Sequence, residues 1–142
     1  MDLPIRRLDP HAAAPGYAHP GDAGLDLAAN VEIEVPPGGR ALVGTGLAVA
    51  IPEGHAGLVL PRSGLASREG LTLANAPGLI DAGYRGEIVL AVVNLDRKHA
   101  VRIARGQRIA QLVLVPFAAA RVVEVEELPP SERGTGGFGS TG

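Results

Sequence analysis

Residues 31–61 read VEIEVPPGGRALVGTGLAVAIPEGHAGLVLP, and their punctuation points to the fold class. Val31 to Val35 alternates apolar and charged side chains strictly, as a strand with one buried face does. Pro36 to Gly39 is a turn. Ala41–Val43 and Leu47–Ile51 read as strands around Gly44-Thr45-Gly46, and Ala56–Leu60 is a further strand that ends at Pro61. Segments this short, interrupted by Gly and Pro, suit strands and tight turns rather than long helices.

Upstream, Ile5 to Leu8 reads as a first strand. A Pro/Ala/Gly loop runs from Asp9 to Gly21, and DAGLDLAA follows at Asp22 to Ala29. Downstream, Ser63 to Gly70 (SGLASREG) is the one helical turn, with Ser63 as a candidate cap and Gly70 as the stop. Strands are expected at Leu71–Leu73, Glu87–Val93, Ala100–Ile103, Arg108–Val115 and Arg121–Glu126. About ten short strands with neither a βαβ rhythm nor an internal repeat predict an all-β sandwich or jelly roll.

Composition agrees. A chain of 142 residues is one domain with room for a core. It is 46% hydrophobic but only 3% aromatic, so Val, Leu, Ile and Ala must build that core. A net charge of −2 gives no sign of a nucleic-acid or membrane surface. The absence of Cys excludes disulfides, thiol nucleophiles and zinc–thiolate sites. With no transmembrane run or signal pattern, a soluble cytoplasmic protein is expected. Twelve of the thirteen basic residues are Arg. Arg suits bidentate phosphate contacts, although GC-rich codon usage produces the same bias. From Pro129 onward PPSERGTGGFGSTG has no aliphatic side chain, so residues 129–142 are expected to form a flexible arm beside the domain at 1–128.

Five stretches carry chemistry. Gly78 to Glu87 (GLIDAGYRGE) joins three glycines to Asp81, Tyr84 and an Arg-Gly-Glu step. Asp81 can take a proton, Tyr84 offers a flat face, and glycines admit close backbone approach. The same residues equally fit a β-hairpin whose Asp is a turn residue. Asp26, inside apolar DAGLDL, is costly unless it is paired, near a cation or turned to solvent. Arg62-Ser63-Gly64 offers an anion a guanidinium, a hydroxyl and N–H groups, or else is a plain Ser cap beside a solvated Arg. In GQRIAQL, Arg108 and Gln111 are three apart and lie on opposite faces of a regular strand. Gln111 reads either as a buried amide serving a water or metal shell or as a solvent-facing residue. In the tail, Gly134, Gly136 and Gly139 form a G-x-G-x-x-G with no preceding strand and no following helix, so a dinucleotide site is excluded. Phe138, one of two Phe, sits there with no local core. With Arg133 beside it, a ligand with one phosphate end and one flat end is the better fit.

In this order, DAGLDL, PRSG, GLIDAGYRGE, GQRIAQL and RGTGGFGSTG resemble the five motifs of the trimeric dUTPases, from about Asp22 to the last residue. The resemblance implies a jelly-roll homotrimer that hydrolyses dUTP to dUMP and pyrophosphate with Mg²⁺, at sites shared between subunits. That activity limits uracil in DNA and supplies dUMP for thymidylate synthesis. It makes Asp81 the base that activates water for attack on the α-phosphorus. Tyr84 would lie under the deoxyribose, and Asn75 would read the uracil edge with backbone groups of Gly78, Leu79, Ile80 and Asp81. Val89 would add a main-chain contact. Arg62, Ser63 and Gly64 would hold phosphates, and Asp26 and Gln111 would position Mg²⁺ through water. Arg133 would grip the γ-phosphate and Phe138 would cap the uracil, with Gly139 and Ser140 beside it. The alternatives are a dCTP deaminase, against which the IDAGYRG pattern and the complete tail argue, and a non-catalytic relative that binds nucleotide or a partner protein, against which the full set of expected catalytic residue types argues.

Overall fold

Branched and aliphatic side chains at alternate positions sort this chain into strands with one inward face. The computed structural model describes residues 1–137 and 139. Among them run β1 (Ile5–Arg7), β2 (Leu25–Ala28), β3 (Ile33–Val35), β4 (Arg40–Val49) and β5 (His55–Pro61). Helix α1 (Ser63–Glu69) follows, then β6 (Leu71–Leu73), β7 (Gly78–Ile80), β8 (Glu87–Asn94), β9 (Val101–Ile103) and β10 (Arg108–Pro116). Two four-stranded antiparallel sheets, β1-β4-β8-β6 and β2-β10-β5-β7, and a β3-β9 ribbon make the expected jelly-roll sandwich. Strand β8 shows the logic: Ile88, Leu90, Val92 and Asn94 are buried while the residues between them are not.

The core joins both sheets through Leu27, Val43, Leu47, Leu90, Ile103 and Leu112, and few aromatics are needed to fill it. Its buried polar residues are satisfied. Asn94 Nδ2 donates to the carbonyls of Val35 and His99 (3.1 and 2.9 Å), and Thr45 Oγ1 donates to that of Ile88 (2.7 Å). No buried side-chain polar atom among the described residues lacks a partner, as expected for a specific core.

Four expectations change. Gly44-Thr45-Gly46 does not separate two strands: β4 runs through it, with a shift in its pairing to β8 between Gly44 and Ala48 and a positive φ of 68° at Gly46. Gly78–Glu87 is not a hairpin turn, because β7 pairs with β5 whereas β8 pairs with β4 and β6. The segment crosses from one sheet to the other. Ser63 is not the cap of α1. Arg62 occupies that position without a side-chain cap bond, while Gly70 closes the helix as predicted, at φ 70°. Arg121–Glu126 forms no strand. Val122, Val123 and Val125 are exposed there, and an alternating segment needs a partner strand to pair with.

Candidate active site

The sequence-predicted residues gather in two clefts that meet back to back at β5. Val59 lines one and Leu60 the other, since consecutive strand residues face opposite ways.

The first, the β7 cleft, encloses about 200 Å³ between Asn75, Gly78, Ile80, Asp81, Tyr84 and Val89. It is built by chain bending. Asn75 lies in the turn from β6 to β7, and its amide nitrogen would stand 3.4 Å from a Cβ on Gly78. Asp81 opens the crossing to β8 and is exposed; its carbonyl accepts the Tyr84 N–H at 3.0 Å. The Tyr84 ring folds back over Gly86, where a Cβ would collide with it, and its hydroxyl donates to the Glu87 carbonyl at 2.9 Å. A glycine at 86 is therefore a steric requirement for the ring's position. Arg85 Nη1 donates to the carbonyls of Ala82 and Tyr84 (2.6 and 2.8 Å), tying the crossing to itself.

The second, the arginine cleft, encloses about 770 Å³ and includes Asp26, Arg62, Ser63, Gly64, Arg68, Arg108 and Gln111. Asp26, only 9% exposed, pairs with two guanidinium groups and accepts a hydrogen bond from Arg108. Arg62 Nε is 3.4 Å from Oδ1 and Arg108 Nη1 is 3.2 Å from Oδ2. Such pairing is what makes a carboxylate tolerable inside an apolar strand. Gln111 faces Asp26 across the β2–β10 ladder. Its Nε2 donates to the Pro61 carbonyl at 3.0 Å, which turns its amide oxygen toward Gly24, where a Cβ would run into it. Arg108 and Gln111 do not diverge as a regular strand requires. A register shift between Arg108 and Ala110 brings both into this cleft.

A family model described as dUTPase matches residues 10–142. The chain belongs to the dUTPase family. It is 56% identical over 138 residues to a deoxyuridine 5'-triphosphate nucleotidohydrolase of Thermobifida fusca, covering 97% of this chain and 77% of that one. It is 57% identical over 142 residues to the Streptomyces coelicolor enzyme of the same name, covering 100% and 78%. Among solved structures it superposes on the Staphylococcus bacteriophage 80alpha dUTPase with dUPNHPP at a TM-score of 0.90 and 33% identity, covering 99% and 98%. The dUTPase of S. aureus phage phi11, with a structural Mg(II) ion, matches at 0.84 and 30%, covering 89% and 98%. Membership makes the chain a hydrolase, a dUTPase.

Against the motif expectations, Asn75, Gly78, Leu79, Ile80, Asp81, Tyr84 and Val89 come together in the β7 cleft. Asp26, Arg62, Ser63, Gly64 and Gln111 come together in the arginine cleft. Arg133 is exposed, donates to the Gly136 carbonyl at 2.8 Å, and is not among the residues lining either cleft. Gly139 is an exposed turn residue, and Phe138 and Ser140 lie outside the described residues. The motif reading noted the Arg-Gly-Glu step without giving Arg85 or Glu87 a role, and it passed over Arg68. Glu87 Oε1 accepts the Gly46 N–H at 2.7 Å, anchoring the start of β8 to the irregular middle of β4. That partner is 41 residues away, so no local pattern announces it.

Proposed function

We propose that this chain hydrolyses dUTP to dUMP and pyrophosphate with Mg²⁺ in the cytoplasm, as a homotrimer whose sites combine clefts of neighbouring subunits. The observation that carries this reading is that the β7 cleft and the arginine cleft share no lining residue. Each holds half of what the reaction needs, and a second copy supplies the other half. No helix among the described residues is long and apolar enough to cross a membrane.

In the β7 cleft, Asn75 and the backbone of Gly78 to Asp81 take the uracil edge, with a main-chain contact at Val89. A thymine methyl is excluded there by contact with the cleft wall. Tyr84 lies against the sugar and leaves no room for a 2′-hydroxyl. Asp81 removes a proton from a water molecule. The water oxygen bonds to the α-phosphorus, the α–β bridging P–O bond breaks, and its electron pair leaves with pyrophosphate. In the arginine cleft, Arg62, Ser63 and Gly64 hold the phosphates, with the Ser63 hydroxyl near the breaking bond. One carboxylate (Asp26) and one amide oxygen (Gln111) suit a hard cation that keeps most of its water and takes further ligands from phosphates. Such an ion, when bound, neutralises phosphate charge. Residues 129–142 act as an arm apart from the 1–128 domain. At about 3.3–3.6 Å per residue they reach roughly 45–50 Å, enough to bring Arg133, Phe138, Gly139 and Ser140 onto a neighbouring site.

A turnover assay tests the activity. Pyrophosphate from dUTP is expected; ammonia from dCTP, or neither product, overturns the reading.

A further inference from the structure

Three guanidinium groups line the arginine cleft, and they are not equivalent. Arg62 and Arg108 are both committed to Asp26. Arg68, on the last turn of α1, forms no ion pair among the described residues and is exposed to solvent. Its guanidinium lies flat over Gly64, four residues back. A Cβ at Gly64 would stand 3.1 Å from Nη1 and 3.2 Å from Nη2, so a side chain there would press the group outward by a few tenths of an ångström. That position puts a cation without an ion-pair partner among the described residues against Gly64, in the cleft that Ser63 also lines.

We propose that Arg68 is a further substrate-binding residue, which grips the β- and γ-phosphates that leave as pyrophosphate. The inference rests on the dUTPase reading of this cleft. An incoming polyanion shares Arg62 and Arg108 with the Asp26 carboxylate, which offsets part of their charge. Arg68 carries no such offset among the described residues, and its fork of N–H donors matches phosphate oxygens two at a time. The α-phosphorus must stay within reach of Asp81 in the β7 cleft of the neighbouring subunit. The group carried on α1 therefore meets the part of the chain beyond it. The consequence is specificity for chain length: Arg68 contributes to triphosphate binding and nothing to the monophosphate product.

The test is calorimetric binding of the imido analogue of dUTP and of dUMP, with Mg²⁺, to wild-type, Arg68→Gln and Arg68→Lys proteins of matched thermal stability. In Arg68→Gln the analogue is expected to bind about tenfold more weakly, the loss of roughly one charge-assisted hydrogen bond. Binding of dUMP is expected to stay within about twofold, inside ordinary surface-substitution effects. Arg68→Lys should recover part of the loss by restoring charge without the fork. If both ligands weaken equally, or the analogue binds unchanged, Arg68 does not have this role. A wild-type chain that releases no pyrophosphate from dUTP overturns the functional reading and this assignment together; normal turnover with unchanged analogue binding in Arg68→Gln overturns this assignment alone.

Discussion

Gly78, Leu79 and Ile80 line the β7 cleft with main chain and apolar edges beside the Asn75 amide, whereas Arg62, Arg68 and Arg108 crowd guanidinium groups into the arginine cleft. The first cleft draws its lining chiefly from residues 73–91, one continuous run of chain. The second draws on β2, the end of β5, α1 and β10, with Arg108 bonded to Asp26 across 82 residues. A base is flat and uncharged, and a short bent segment can present it with shape and backbone groups. A polyphosphate needs several cations converging from different directions, and one local segment cannot supply them. Under the proposed function, chemistry and selectivity belong to the first cleft, and charge holding to the second.

The largest expected effect separates these roles. Asp81→Asn keeps the shape of the side chain but removes the basic oxygen. Its kcat should fall by about 10²–10⁴ with KM little changed, because the arginine cleft is untouched. A variant that keeps more than about a tenth of wild-type kcat would remove Asp81 from the role of base.

Tyr84→Ala comes next. With the ring gone from above Gly86, discrimination against UTP should relax by about tenfold, the scale of one steric exclusion, while dTTP stays rejected by the backbone around Asn75. Comparing kcat/KM for dUTP, UTP and dTTP checks this. Relaxed dTTP rejection with UTP unchanged would mean that Tyr84 faces the base.

How much was legible in the sequence follows the same division. In the β7 cleft Asp81 and Tyr84 could be read from their own stretch and Asn75 through the family resemblance, whereas the fold of the Tyr84 ring over Gly86 shows only in the structure. The segment's topology could not be read, since crossing between sheets depends on where β5 and β4 lie. In the arginine cleft the residue types were legible but their partners were not. Nothing local joins Asp26 to Arg108, and a one-residue register shift reversed the face expected of Arg108. The unpaired stretch at Arg121–Glu126 fails for a related reason: alternation announces a strand but not the strand it pairs with.

The smallest effect lies outside both clefts. The Asp9 carboxyl is held below its ordinary value by the Asn30 amide, then by the His11 N–H, with Arg105 adding attraction. Asp96 is lowered by the N–H groups of Lys98 and His99. Both groups bind protons more weakly folded than unfolded, so their stabilisation is complete above the unfolded value of about 3.9 and fades as pH falls through the lower folded values. The thermal midpoint should drop on acidification below about pH 4, and less steeply in Asp9→Asn and Asp96→Asn. Equal slopes in wild type and both variants would show that these carboxylates are not the acid-sensitive groups.

The central claim, that one site joins the β7 cleft of one subunit to the arginine cleft of another, is tested most directly by mixing two inactive variants. Asp81→Asn and Arg62→Gln chains are unfolded and refolded together, so that subunits exchange. In a ring of three built from head-to-tail contacts, every hybrid trimer has one junction where an intact β7 cleft meets an intact arginine cleft. Activity is predicted to return, to at most about a third of the wild-type value per hybrid trimer. Hybrids shown to be present yet inactive would contradict the claim, because clefts that serve the same site within one chain cannot be repaired by a neighbour.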